Sequence, residues 1–251
     1  MSGSDTRKLI AGVSAGVFNT YIFNPYDKAL FLHTKHTNSF FDKENWTKPY
    51  KGVTQALLHR VISYGMYFPI YDIYNELTFF DSNRLNVITS GVFTGCTTAL
   101  LLNPINVIKF HGWNNMHTDM TIINGGKNIC KEYGFMCLAR GMKYTLTRDI
   151  FFGVTYSYLN FEYNKQKHFF TDFIFAIAMT SIVSPINYCR NVIFHTQYDL
   201  TTPTLKQIIR ELTKFSLRDI LLKKLCIGYG TVRVGLGMAC SRKIYDFICL
   251  C

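Results

Sequence analysis

Apolar and polar stretches alternate along the chain. Apolar runs cover residues 9–32, 61–80, 85–110, 142–161, 169–196 and 225–250. Each is long enough, as a helix, to cross a hydrocarbon layer of about 30 Å. Long polar segments follow the first, third and fifth runs, and short turns such as Asp81-Ser82-Asn83 follow the even ones. The long segments hold short helical pieces of their own. One amphipathic piece leads to His59 and Arg60; another follows Asn124-Gly125-Gly126 and ends at Lys131-Glu132-Tyr133-Gly134; a third opens at Pro203. The pattern predicts an all-α membrane protein with six transmembrane helices. Gly12 and Gly16, then Gly91 and Gly95, place small residues four apart on one helix face, which lets helix backbones approach closely in lipid.

The odd runs share an interruption. Asn24-Pro25-Tyr26-Asp27-Lys28-Ala29-Leu30 recurs as Asn103-Pro104-Ile105-Asn106-Val107-Ile108-Lys109 and again as Ser184-Pro185-Ile186-Asn187-Tyr188-Cys189-Arg190. The prolines lie 79 and 81 residues apart and are half of the six in the chain. A proline inside a helix removes a backbone donor and kinks it. Three kinks in register divide one domain, residues 1–251, into repeats of approximately 8–82, 83–167 and 168–251.

Charge sharpens this layout. Hydrophobic residues are 48% of the chain and charged ones 17%, yet mean hydropathy is only +0.08. That value suits helices apolar on one side and polar toward an internal cavity. The net charge is +11. Residues 33–60, 111–148 and 196–233 together hold 17 Lys and Arg against 7 Asp and Glu, so nearly all the surplus follows the long linkers to one membrane face. Nucleic-acid binding would need a basic surface on a water-soluble domain, so no nucleic-acid partner is expected. The eight cysteines form no C-x-x-C pair and have no histidine at zinc spacing; they read as small hydrophobes in a reducing compartment, with no metal and no cofactor. Met1 to Lys8 is polar, with no signal-peptide pattern. No G-x-S-x-G, H-E-x-x-H, P-loop or dinucleotide-binding turn is present, so no enzyme is expected.

Three Pro-x-(acid or amide) motifs in register, two of them closed by a base, resemble the signature of the mitochondrial carrier family. Glu132-Tyr133-Gly134-Phe135-Met136-Cys137-Leu138-Ala139-Arg140-Gly141 is similar to its linker motif, and Tyr50-Lys51-Gly52 to the end of that motif. The resemblance covers residues 8–250. It implies a six-helix, multi-pass, threefold pseudosymmetric bundle around a central cavity, with short matrix-side helices in the linkers. The bundle would sit as a monomer in the mitochondrial inner membrane, of the host cell if the gene is viral, and work by alternating access. Bound anionic lipid (cardiolipin) is implied at Lys51, Gly52, Arg140 and Gly141. The matrix gate would be built on Pro25, Pro104 and Pro185, pairing Asp27 with Lys109 and Asn106 with Arg190, while Asn187 faces the uncharged Leu30. Asn106 stands where an acid is expected, so this gate is weakened. The opposite gate would use Asp72, Glu162 with Lys165, and Asp246, though these acids also fit as helix caps at the interface.

The family places substrate contacts midway along the even helices. Counting from the motifs reaches His59 and Arg60, Arg148 and Asp149, and Arg233. Arginine's planar fork grips phosphate or carboxylate through two hydrogen bonds, whereas lipid phosphate is the alternative partner for these cations. Tyr64, Tyr67, Phe151, Phe152 and Tyr156 offer stacking surface, or packing. The triple-arginine signature of ADP/ATP exchangers is missing; Phe110-His111-Gly112-Trp113 follows the third helix. These departures and an AT-rich residue usage resemble divergent members such as those of giant DNA viruses. That resemblance, with the cationic positions, implies exchange of anionic metabolites, with (deoxy)nucleotides foremost. Alternatives are an amino-acid or carboxylate carrier, the former held by Arg148 and Asp149, and a non-transporting membrane scaffold.

Overall fold

The computed structural model describes residues 3–36, 39–77, 80, 82–114, 121–163, 168–196 and 202–250, and no β-strand occurs among them. Six long helices carry the chain: α1 (Gly3–His36), α3 (Val53–Glu76), α4 (Asn83–Asn114), α6 (Met142–Tyr163), α7 (Phe169–His195) and α10 (Tyr229–Leu250). The linkers hold α2 (Lys43–Trp46), α5 (Ile122–Tyr133), a 3-10 turn (Phe135–Ala139), α8 (Leu205–Leu212), α9 (Leu217–Asp219) and a π-helical turn (Ile220–Lys224). Asn124-Gly125-Gly126 lies inside α5, not ahead of it. The second long helix begins eight residues before its apolar run, which places His59 and Arg60 on regular helix.

Each long helix packs on the next, and α10 packs back on α1, closing a ring. Two of the six, α4 and α7, are long and apolar enough on their own to cross a membrane, with mean hydropathies of 1.5 and 1.7. Many polar side chains are buried inside the ring, and many large apolar ones face out. Asn19, Thr94, Asn106, Arg190 and Arg233 are buried, while Ile22, Leu101, Phe170, Ile174 and Phe247 are exposed. A water-soluble bundle would reverse that order.

Pro25, Pro104 and Pro185 all lie inside helices. The residue before each proline decides what is done locally. Ser184 donates its hydroxyl to the Ser181 carbonyl at 2.8 Å, the acceptor that Pro185 leaves without a backbone donor. The two asparagines reach outward instead. Asn24 donates to the Pro49 carbonyl at 3.0 Å. Asn103 donates to the carbonyls of Leu138 at 2.8 Å and Arg140 at 3.2 Å. Pro49 and Leu138 each stand three residues before a left-handed glycine, Gly52 (φ 75°) and Gly141 (φ 70°), at the start of the next long helix. The amide therefore fixes where the linker turns back into the bundle. Asn103→Ala leaves two carbonyls without this donor and is expected to cost about 1–3 kcal/mol, a Tm lower by roughly 3–10 °C in a detergent melting curve.

The small residues work as the pattern predicts. A Cβ on Gly95 would stand 2.7 Å from the Asp149 carbonyl oxygen, and one on Gly153 2.8 Å from that of Gly91. Gly16 packs likewise on the backbone of Arg60, where a Cβ would stand 3.1 Å from the carbonyl oxygen. Gly16, Gly95 and the buried Ala176 each lie nine residues before their proline. In the first two repeats this small position seats the partner helix at a charged residue of the cavity.

Candidate functional site

A cavity of about 420 Å³ lies inside the ring and is lined from all six long helices. Asp27 comes from α1, His59 and Arg60 from α3, Lys109 from α4, Arg148 and Asp149 from α6, Arg190 from α7, Arg233 from α10, and Lys224 from the linker. Six cations thus face two carboxylates, a formal surplus of four positive charges before His59 is counted. The five residues expected to contact substrate all reach this one space. Arg148 forms an ion pair with its neighbour Asp149 at 2.5 Å. Arg233, with only 4% of its side chain exposed, grips Asp27 through Nε to Oδ1 and Nη2 to Oδ2, both at 2.5 Å. Arg60 donates to the same Oδ2 at 3.1 Å. The His59 Nε2 is buried and has no hydrogen-bond partner. Burial, with Lys223 adjacent, holds the Lys224 ammonium below its ordinary pKa.

The expected gate pairs are not those formed. Asp27 lies on Arg60 and Arg233 rather than on Lys109. Lys109 instead places its ammonium 4.5 Å over the ring of Phe110 and 5.0 Å over that of Trp113. Arg190 turns onto Phe110 and Phe194, at 5.6 and 5.9 Å, rather than to Asn106. Asn106 Nδ2 and Asn187 Oδ1 are buried without hydrogen-bond partners. The reason is the aromatic cluster below them, which offers the two cations ring faces where the sequence lacks acids. Phe31, Leu32, Val107, Phe110, Trp113 and Phe194 pack together at the linker ends of α1, α4 and α7. Phe110 stacks on Phe194 at 4.6 Å, and Phe31 lies 4.1 Å from the His195 ring. Asn114 and Thr34 tie the same ends to the Phe194 carbonyl and to His195. All three odd helices are thus joined by an apolar plug that charge motifs could not reveal. A signal existed: Phe31 and Phe110 each lie six residues after a motif proline.

At the other end of the ring, Asp72 is exposed on α3 and Asp246 half-buried on α10. The Glu162 side chain and Lys165 lie outside the described residues. An ion pair that the motifs do not predict, Arg242 to Asp172 at 3.2 Å, joins α10 to the start of α7. Of the aromatic wall, Tyr67 and Phe152 line the cavity, whereas Phe151 is half exposed outside it. The side chains of Tyr64 and Tyr156 lie outside the described residues. Near the linker turns, Trp113 donates to the Lys51 carbonyl at 3.0 Å, and Arg140 to that of Thr196 at 3.1 Å.

Comparison with known proteins agrees with this architecture. The profile of the family described as "Mitochondrial carrier protein" matches residues 80–173, which contain the second proline motif. A mitochondrial carrier-like protein of Acanthamoeba polyphaga mimivirus is 28% identical over 107 residues, 41% of this chain and 42% of its own. An uncharacterised mitochondrial carrier of Schizosaccharomyces pombe is 33% identical over 119 residues, covering 40% and 43% of the two chains. These matches support a divergent member of the mitochondrial carrier family, over the middle of the chain. The mitochondrial FAD carrier protein of Saccharomyces cerevisiae is similar over 179 residues at 25% identity, with 54% of this chain and 57% of that one covered. The matched segments span about half the length of these relatives. Against the carrier motif, the chain keeps the three prolines and the linker glycines, and it departs at Leu30, Asn106 and Asn187, where charge is missing.

Proposed function

We propose that this protein is a membrane carrier that exchanges small anionic metabolites by alternating access. In this reading the ring spans the mitochondrial inner membrane as six helices with threefold pseudosymmetry, and it acts as a monomer and not as an enzyme. The observation that carries it is the convergence of Arg60, Arg148 and Arg233, one from each repeat, on a single cavity. Ionised groups inside a membrane protein are costly and mark substrate paths. The surplus of positive charge favours polyanions, and Tyr67 and Phe152 add ring surface for a base. Among polyanions we favour (deoxy)nucleotides; the FAD named for the yeast relative is itself a nucleotide. The Arg148–Asp149 pair supports a second reading, since together they match the two ends of an amino acid.

Lys51, Gly52, Arg140 and Gly141 sit where linkers re-enter the bundle, with the left-handed glycines opening α3 and α6, and are proposed to hold anionic lipid headgroups at helix N-termini. Glu162, Lys165, Asp72 and Asp246 remain the proposed opposite gate. Purified protein in cardiolipin-containing liposomes is expected to exchange labelled dATP against internal nucleotide faster than labelled arginine or malate. Uptake of arginine alone would select the amino-acid reading. No uptake of any of the three would favour a scaffold.

A further inference from the structure

We propose that Asp27 competes with the substrate: in the empty cavity it occupies Arg60 and Arg233, and an entering anion with two or more negative charges displaces it onto Lys109. The inference rests on the anion-carrier reading and deepens it. Asp27 belongs to α1, Arg60 to α3 and Arg233 to α10. One carboxylate therefore staples two cavity arginines from two repeats, taking three contacts of 2.5, 2.5 and 3.1 Å. All three groups line the same cavity. The place an anion would take is already filled by the protein's own carboxylate.

Lys109 is the acceptor. It faces the same cavity, lies on the rings of Phe110 and Trp113, and has no carboxylate within ion-pair distance among the described residues. Without an anion, one carboxylate serves two arginines and the lysine has none, so the set carries two surplus positive charges. With a polyanion on Arg60 and Arg233, Asp27 is free and Lys109 is the uncompensated cation nearest in function. Pairing them compensates every charge of the set. A monoanion brings no more charge than the carboxylate it must remove, so it gains little by entering. The cavity therefore selects for phosphate esters, pyrophosphates and dicarboxylates over singly charged acids.

The exchange also moves a mechanical link. Before binding, Asp27 ties α1 to its ring neighbours α3 and α10; afterwards it ties α1 to α4, on the helix turn that begins the aromatic plug. Occupancy is thereby coupled to how the odd helices hold together at the linker end. Three cations and one acid are enough for this, so a gate lacking most of its ion pairs would still respond to substrate.

The test is anion binding by the purified full chain in detergent, read as ligand-induced shifts in melting temperature, with pyrophosphate, ATP and acetate as probes. Asp27→Asn is expected to bind pyrophosphate and ATP about tenfold more tightly than wild type and acetate no better. In liposomes the same variant exchanges more slowly at saturating ATP, because Lys109 receives no partner. Asp27→Glu restores the charge and brings the affinity back to within about threefold of wild type. Asp27→Ser is run beside them, and cooperative melting shows which variants fold. Equal or weaker binding by the folded neutral variants overturns the proposal while leaving the carrier reading intact. Tighter binding with no transport by wild type overturns the carrier reading and supports the competition. If neither wild type nor variants bind any probe, both fall.

Discussion

The Arg233→Ala protein is expected to exchange anions at least about 100-fold more slowly than wild type at subsaturating substrate. Arg233 is nearly buried, its guanidinium lies 4.7 Å over the Phe23 ring, and it meets Asn19 and Asp27. Such a side chain is held ready rather than mobile, so its fork is pre-organised for an anion. Each charge-assisted hydrogen bond contributes about 1.5–3 kcal/mol, and losing two of them is a factor of about 10² or more at 1.4 kcal/mol per tenfold. Arg233→Lys keeps the charge but not the fork and should lose about tenfold. Initial rates in liposomes measure both, with melting curves to show that each variant folds. Exchange by the alanine variant within threefold of wild type would remove Arg233 from the substrate path. The direction of the effect carries further information. Arg233→Ala weakens anion binding and Asp27→Asn strengthens it, although each breaks the same ion pair. A purely structural pair would give both substitutions the same sign.

Periodicity and proline spacing made the helices legible, because both depend on residues near in sequence. All three motif prolines lie inside long helices, and the two Gly-x-x-x-Gly faces are sites of backbone contact. The five expected substrate residues line one cavity because their spacing from the linker glycines and, for Arg233, from Asp246 fixes their height along the even helices. Height does not fix the neighbour. Asp27 and Lys109 occupy the positions expected for a pair, yet the carboxylate turns sideways to Arg60 and Arg233, which repeat spacing cannot reveal. The plug was missed for a related reason. Phe31, Phe110 and Phe194 look like ordinary apolar positions until folding brings three helix ends together. Arg242 and Asp172 lie outside every motif and 70 residues apart, so only folding pairs them.

Gly95→Ala, a change of one methyl group, is expected to lower Tm and transport together. The added Cβ would stand 2.7 Å from the Asp149 carbonyl oxygen, 2.9 Å from its carbon and 3.1 Å from the Ile150 Cα. These are backbone atoms in the middle of α6, so no rotamer change relieves the contact; the two helices must separate. Overpacking of this kind costs about 1–3 kcal/mol, or roughly 3–10 °C in Tm. The separation also falls on the turn carrying Arg148 and Asp149, which line the cavity. A displacement on the order of 1 Å at such a site is enough to cost about 100-fold in rate. Gly112→Ala on the same helix gives the control. Nothing lies within 4 Å of its Cβ, so alanine's better helix propensity should raise stability by about 0.5–1 kcal/mol with exchange unchanged. Opposite signs for the same substitution, 17 residues apart on α4, separate helix propensity from packing. Equal Tm shifts at both positions would mean that α4 and α6 do not meet at Gly95, and the seating of Asp149 by that glycine would have to be abandoned.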